Sequence, residues 1–157
     1  MLGNWVIGMV LPLLLGAWIL RRRYRLFVIY YPLGVAVSSC INNVGFNFFW
    51  NILPHTRNES FAALPMDLGI YPVTGCIMMY LILVKHTRPW PSIVVSALLL
   101  TLIEWIAKLM GHVVYFNGWN IFWTFWSYFL PFVLAYGYSK LLKMTFPERQ
   151  ERAPSKK

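Results

Sequence analysis

Apolar residues run along this chain in five long stretches, and polar residues gather in the short segments between them. The stretches fall at about Gly3 to Leu20, Leu26 to Leu53, Asp67 to Val84, Ser92 to Tyr115 and Ile121 to Leu142. A helix needs about 20 predominantly apolar residues to cross a hydrocarbon layer of roughly 30 Å. The pattern therefore predicts an all-α integral membrane bundle of about five transmembrane helices, filling residues 1–142 as one domain. The second stretch is long enough to be tilted.

Breakers separate the stretches. Pro54 closes the second, and the connector from Lys85 to Pro91 carries two prolines that cannot continue a helix. Asp67, two residues after Pro65, is expected to cap the third helix. The run Asn117, Gly118, Trp119, Asn120 reads as a turn, and Pro131 predicts a kink within the fifth helix. Residues 143–157 form a polar, basic tail that is not expected to pack. There is no internal repeat and no GxxxG pair, so helix association is expected to rest on other contacts.

Composition agrees with this picture. The 157 residues are 59% hydrophobic and 12% charged, whereas soluble domains carry about a quarter charged residues. The net charge of +9 raises the question of nucleic acid, but the basic residues form blocks between apolar runs and line no aromatic-interleaved surface. The bilayer is the expected partner, and nucleic acid is not.

Those blocks fix an expected orientation, because cytoplasmic loops are enriched in Lys and Arg. Placing the first connector, the third connector and the tail together collects Arg21, Arg22, Arg23, Arg25, Lys85, Arg88, Lys140, Lys143, Arg149, Arg152, Lys156 and Lys157 on one side. Arg57 alone falls on the other, and Lys108 lies within a stretch. The reading is a multi-pass cell-membrane protein with its N-terminus outside and its C-terminus cytoplasmic. No basic segment precedes the first apolar run, so that run reads as a retained span and not a cleaved signal. Trp5, Trp50, Trp90 and Trp119 fall near the ends of the stretches, as interfacial indoles do.

Candidate chemistry lies in the polar residues within the spans, where an ionisable group is costly and marks a site by default. Glu104, Lys108 and His112 follow at i, i+4 and i+8 on one face of the fourth helix. Glu104 is twelve residues into that helix, roughly 18 Å at 1.5 Å per residue. The second helix carries Ser39, Asn43, Asn47 and Asn51 at the same spacing. With Tyr71, Thr74, Thr124 and Ser127, these residues occupy the outer halves of their helices, over inner halves rich in Leu, Ile, Val, Phe and Met.

A polar outer half suggests a water-accessible ligand or ion pocket formed by Glu104, Lys108, His112, Asn43, Asn47, Tyr71 and Ser127, with Glu104 at its floor and Asp67 at its entrance. The alternative is a Glu104–Lys108 ion pair that ties helices together without a ligand, and a single sequence leaves both open. Cys40 and Cys76 lie within spans and read as packing, and no metal or cofactor motif is present.

The segment from Leu98 to Phe132 resembles the C-terminal half of a family of small uncharacterised polytopic membrane proteins of endospore-forming Firmicutes. The shared features are Glu104 in a Leu-rich helix, Tyr115, the Asn117–Asn120 turn, Trp123 and Ser127. The segment from Leu64 to Tyr80, with Asp67, Tyr71 and Pro72, resembles the stretch before the family's penultimate pair of spans. The resemblance implies a bacterial cell membrane and a link to the sporulating life cycle. It implies no reaction, and Lys108 and His112 lie outside the resembling features.

Three functions compete on these residues. The first is a non-enzymatic membrane component, a small-ligand or ion-binding or channel-like subunit. Five spans are few for a self-contained transporter, so a homo-oligomer or another membrane protein would complete it. The second is a structural or assembly protein with no ligand. The third is an intramembrane enzyme using Glu104 or His112, which lacks any paired-carboxylate, Ser-His or metal constellation.

Overall fold

In a computed structural model the described residues, 2–53 and 59–145, are mostly helical. The chain enters through α1 (Leu2–Trp5), a π-helical turn (Val6–Val10) and α2 (Leu11–Leu20). It continues through α3 (Tyr24–Phe48), β1 (Trp50–Ile52), α4 (Glu59–Leu68) and α5 (Ile70–Leu83). It ends in α6 (Pro89–Leu109), β2 (Val113–Tyr115) and α7 (Ile121–Thr145). Residues from 146 onward, where most of the expected tail falls, lie outside the described residues.

Four helical stretches are long and apolar enough to cross a membrane: Gly3–Leu20, Tyr24–Phe46, Ser60–Leu83 and Pro89–Leu109. The fifth, α7, has 25 residues, but Trp, Tyr, Ser and Pro dilute its apolar character. These helices turn large apolar side chains outward, among them Leu14, Trp18, Val28, Val95, Leu109 and Leu134. Such a surface suits lipid and not water.

The central helix is α5, with Val73, Cys76, Met78, Met79 and Ile82 buried on its several faces. Helices α2, α3, α7 and α6 pack around it, and α6 also lies along α7. Close packing rests on isolated glycines. At Gly16 an added methyl would meet Val73, and at Gly34 it would meet Pro72. At Gly69 it would strike the Gly8 carbonyl, where the α4–α5 break crosses the π-helical turn. That turn contains Gly8, four residues before Pro12, which has no N–H to offer the Gly8 carbonyl.

The all-α expectation needs one correction. Trp50, Asn51 and Ile52 pair antiparallel with Tyr115, Val114 and Val113, so the second and fourth helices do not run to Leu53 and Tyr115. Helix α3 stops because Phe49 leaves the helical region and the Trp50 ring folds back over Gly45. Helix α6 stops at a Schellman motif: Gly111, at φ 77°, donates to the Lys108 carbonyl at 3.0 Å, and His112 donates to Ala107 at 2.9 Å. The ladder extends on both sides, through Leu53 N–H to His112 C=O at 2.8 Å and Phe116 N–H to Phe49 C=O at 2.9 Å. Non-helical backbone near a bilayer must satisfy itself, and this pairing does so.

The second correction concerns Asp67. Helix α4 begins at Glu59, before the prolines suggested, so Asp67 sits inside a helix and caps nothing. The break expected at Pro65 comes instead at Gly69, whose backbone is non-helical. The Asn117-Gly118 turn is present, with φ of 50° and 76° and a closing bond from Trp119 N–H to Phe116 C=O at 3.0 Å, as a type I′ turn requires. Asn120 then caps α7, its Oδ1 accepting from Phe122 at 3.0 Å.

Candidate functional site

The β1–β2 ladder and the turn after it fold over the C-terminal part of α6, and this brings hydroxyl groups to Glu104. Tyr115 donates to Oε1 at 2.5 Å, Thr124 lies 3.2 Å from the same oxygen, and Tyr128 donates to Oε2 at 2.5 Å. Thr124 is fully buried and accepts the Trp119 indole N–H at 3.0 Å. The Tyr128 hydroxyl is also 3.3 Å from that of Tyr71 on α5. One carboxyl group thus joins α5, α6, α7 and the β1–β2 ladder. Burial first, and then the neighbouring Glu104 carboxylate, push the Tyr115 hydroxyl above its ordinary value of 10.0, so it remains a donor.

An aromatic cap lies over this cage. The Trp119 ring is 4.7 Å from Phe49 and 4.8 Å from Trp50, centroid to centroid, with Trp123 beyond it. Asn117 Nδ2 reaches the Phe48 carbonyl at 2.8 Å and ties the turn to the end of α3.

A second polar cluster joins α3 to α4. Asn42 donates to the buried Asp67 carboxylate at 2.8 Å, Tyr31 donates to the Leu68 carbonyl at 2.6 Å, and Ser60 donates to Asn43 at 2.7 Å. Asp67 is 4% exposed, which makes it an internal tie and not an entrance.

The residues marked by the sequence therefore divide. Glu104 and Tyr71 are joined through Tyr128. Asn43 is exposed and faces α4, not α6. The Asn47 side chain lies outside the described residues. Lys108 and His112 are exposed and do not face the bundle interior. The Lys108 ammonium sits 4.7 Å above the Tyr115 ring, a cation–π contact in place of the expected ion pair with Glu104. The reason is that α6 ends one residue after Lys108, and its long side chain turns back over β2.

A cavity of about 300 Å³ runs between α3 and α7, floored by Tyr71 and Gly75 of α5. Leu33, Val37, Ile41 and Phe132 make its shaft apolar, and Leu134, 63% exposed, marks its opening along the flank. Pro131 lines it midway. Asn42, Ser127 and Tyr128 lie toward the end of the cleft near the β1–β2 ladder, but each already has a protein partner: Asp67, the Thr124 carbonyl and Glu104. What the cleft offers an occupant is apolar surface. Of the predicted pocket residues, Tyr71 and Ser127 line it.

Tyr128, Thr124 and Tyr115 were not among the expected site residues. The signal available was the hydroxyl pair Thr124 and Tyr128, one turn apart on α7, opposite a carboxyl group that needs donors. Among the described residues no group of His, Cys, Asp and Glu could hold a metal ion, and Cys40 and Cys76 are free.

No protein-family model, curated protein or solved structure matches this chain. The resemblance to the sporulation-associated family accordingly rests on its motifs alone.

Proposed function

We propose that this chain is a non-enzymatic, multi-pass protein of a bacterial cell membrane, with its C-terminus cytoplasmic, and that its α3–α7 cleft takes a small apolar or amphipathic ligand from the bilayer. The observation that carries this reading is the cleft itself. It opens on a flank rich in exposed apolar side chains, and Asn42, Ser127 and Tyr128, which line it, are already partnered. The binding site is thereby moved from an outward polar pocket around Glu104 to the side of the bundle. Glu104 is enclosed by hydroxyl groups and His112 is exposed away from it, which speaks against proton-transfer chemistry at either.

Oleic acid is a suitable probe. Added to protein purified in a mild non-ionic detergent, it should raise Tm by several degrees, and Gly75→Leu should abolish the rise. Gly75 lines the cleft, and a Cβ there would meet only Phe132, at 3.7 Å, so a larger side chain has space to occupy. An unchanged Tm for the wild-type protein would favour the second reading, a structural or assembly protein. That reading draws on the closed cage around Glu104, which ties four elements without needing a ligand.

A further inference from the structure

The end of the bundle away from the β1–β2 ladder contains a second cavity, of about 730 Å³, where the α2–α3 connector meets the ends of α5 and α7. Arg22, Arg23 and Arg25 line it, with Leu83 and Val84 of α5 and its C-cap opposite and Ser139 of α7 beside them. No carboxylate lines it. The three arginines are exposed, and none has an ion pair among the described residues. Arg23 is also the N-cap of α3; its side chain makes no capping bond, and its carbonyl takes the Leu26 N–H at 3.0 Å.

The two cavities lie along one seam. Tyr30 lines both, and on α7 Tyr138 lines the apolar cleft while Ser139 lines the basic cavity. From Tyr30 to Asn42 the cleft follows α3 for twelve residues, roughly 18 Å at 1.5 Å per residue. That is close to the depth of one leaflet, about half of a 30 Å hydrocarbon layer. A cavity of about 300 Å³ drawn out over such a length is narrow, suited to a single extended chain.

A long apolar slot of leaflet depth, ending at a set of unpaired guanidinium groups, is complementary to an anionic amphiphile. Arginine recognises phosphate through paired N–H donors, and basic pockets between helices receive lipid headgroups. We infer that the α3–α7 seam binds one anionic phospholipid, with its phosphate on Arg22, Arg23 and Arg25 and an acyl chain in the cleft beyond Tyr30. This rests on the cleft being a ligand site, and it names the ligand's class and the end from which it enters.

Native mass spectrometry of the detergent-purified chain tests it, with dioleoyl phosphatidylglycerol and dioleoyl phosphatidylcholine as probes. The wild-type protein should prefer the anionic lipid at least tenfold. The triple variant R22Q/R23Q/R25Q should bind both lipids alike. The triple variant R21Q/K85Q/R88Q removes the same charge from residues that do not line the cavity, and it should keep the preference. Gly75→Leu should weaken both lipids at least tenfold, and Ala135→Leu provides a second cleft-filling variant should the first fail to fold. Equal binding of both lipids by the wild-type protein, or equal loss of preference in the two triple variants, would overturn the headgroup assignment while leaving the cleft reading intact. Displacement of the lipid by free glycerol phosphate would overturn it in favour of a soluble-anion site. Binding of neither lipid above background would sink the cleft reading itself.

Discussion

The Tyr128 hydroxyl stands between two partners, 2.5 Å from Glu104 Oε2 and 3.3 Å from the Tyr71 hydroxyl. The contact runs from α5 through α7 to α6. Removing Tyr128 therefore leaves two partners unmet, whereas removing Tyr71 leaves one.

Tyr128→Phe should cost roughly 2–3 kcal/mol, and Tyr71→Phe about 1 kcal/mol. Thermal or denaturant unfolding in detergent reads the difference directly. Equal losses in the two variants would mean that Tyr128 does not bridge Tyr71 and Glu104.

Gly69→Ala should be far more damaging than its size suggests, because the new methyl would meet the Gly8 carbonyl and backbone has little freedom to withdraw. A loss of at least about 2 kcal/mol is expected. Gly137→Ala provides the contrast: nothing lies within 4 Å of its Cβ position in α7, so the better helix former should add about 0.5–1 kcal/mol. A neutral Gly69→Ala would mean that the α4–α5 break does not cross the π-helical turn as described.

Lys108→Gln should cost only the contact over the Tyr115 ring, on the order of 0.5–1 kcal/mol. His112→Gln should be close to neutral, because its backbone carbonyl joins the ladder while its side chain is exposed. Neither should alter lipid or oleate binding. A severe defect from either, measured by the same unfolding assay, would restore these residues to a working site.

Much of the bundle was legible because apolar runs of membrane length, Pro- and Gly-containing connectors and the Asn117-Gly118 pair carry their physics locally. The β1–β2 ladder was not. Its strands are three residues each, Trp-Asn-Ile and Val-Val-Tyr, and such short, mostly apolar triplets read as the continuation of the helices before them, with Asn51 falling on the helical polar stripe. Asp67 misled because Pro65 looked like a helix stop, whereas the chain tolerates it within α4 and breaks at Gly69. The partners of Glu104 come from β2 and α7, and only their packing brings three hydroxyls to one carboxyl group. The stripe from Glu104 through Lys108 to His112 assumed a helix that ends at Leu109.

The grouping of connectors bears on orientation. The basic α2–α3 connector, the end of α5 and the end of α7 meet at one cavity, while the β1–β2 ladder joins the ends of α3 and α6. With the charge distribution, this predicts that cysteines introduced at Arg23 and Lys85 are labelled only from the cytoplasm and one at Glu59 only from outside. Labelling of Lys85 and Glu59 from the same side of intact cells would overturn the map.

The ladder also gives the chain a clock. β1 leaves the ribosome about 60 residues before β2, which at roughly 5–20 residues per second is an interval of about 3–12 s. During that time Trp50, Asn51 and Ile52 have no strand to pair with, and α4, α5 and α6 must be made and brought alongside before one arrives. The ladder can therefore form only after α4, α5 and α6 have been synthesised, and Thr124 and Tyr128 complete the cage around Glu104 later still, because α7 follows β2.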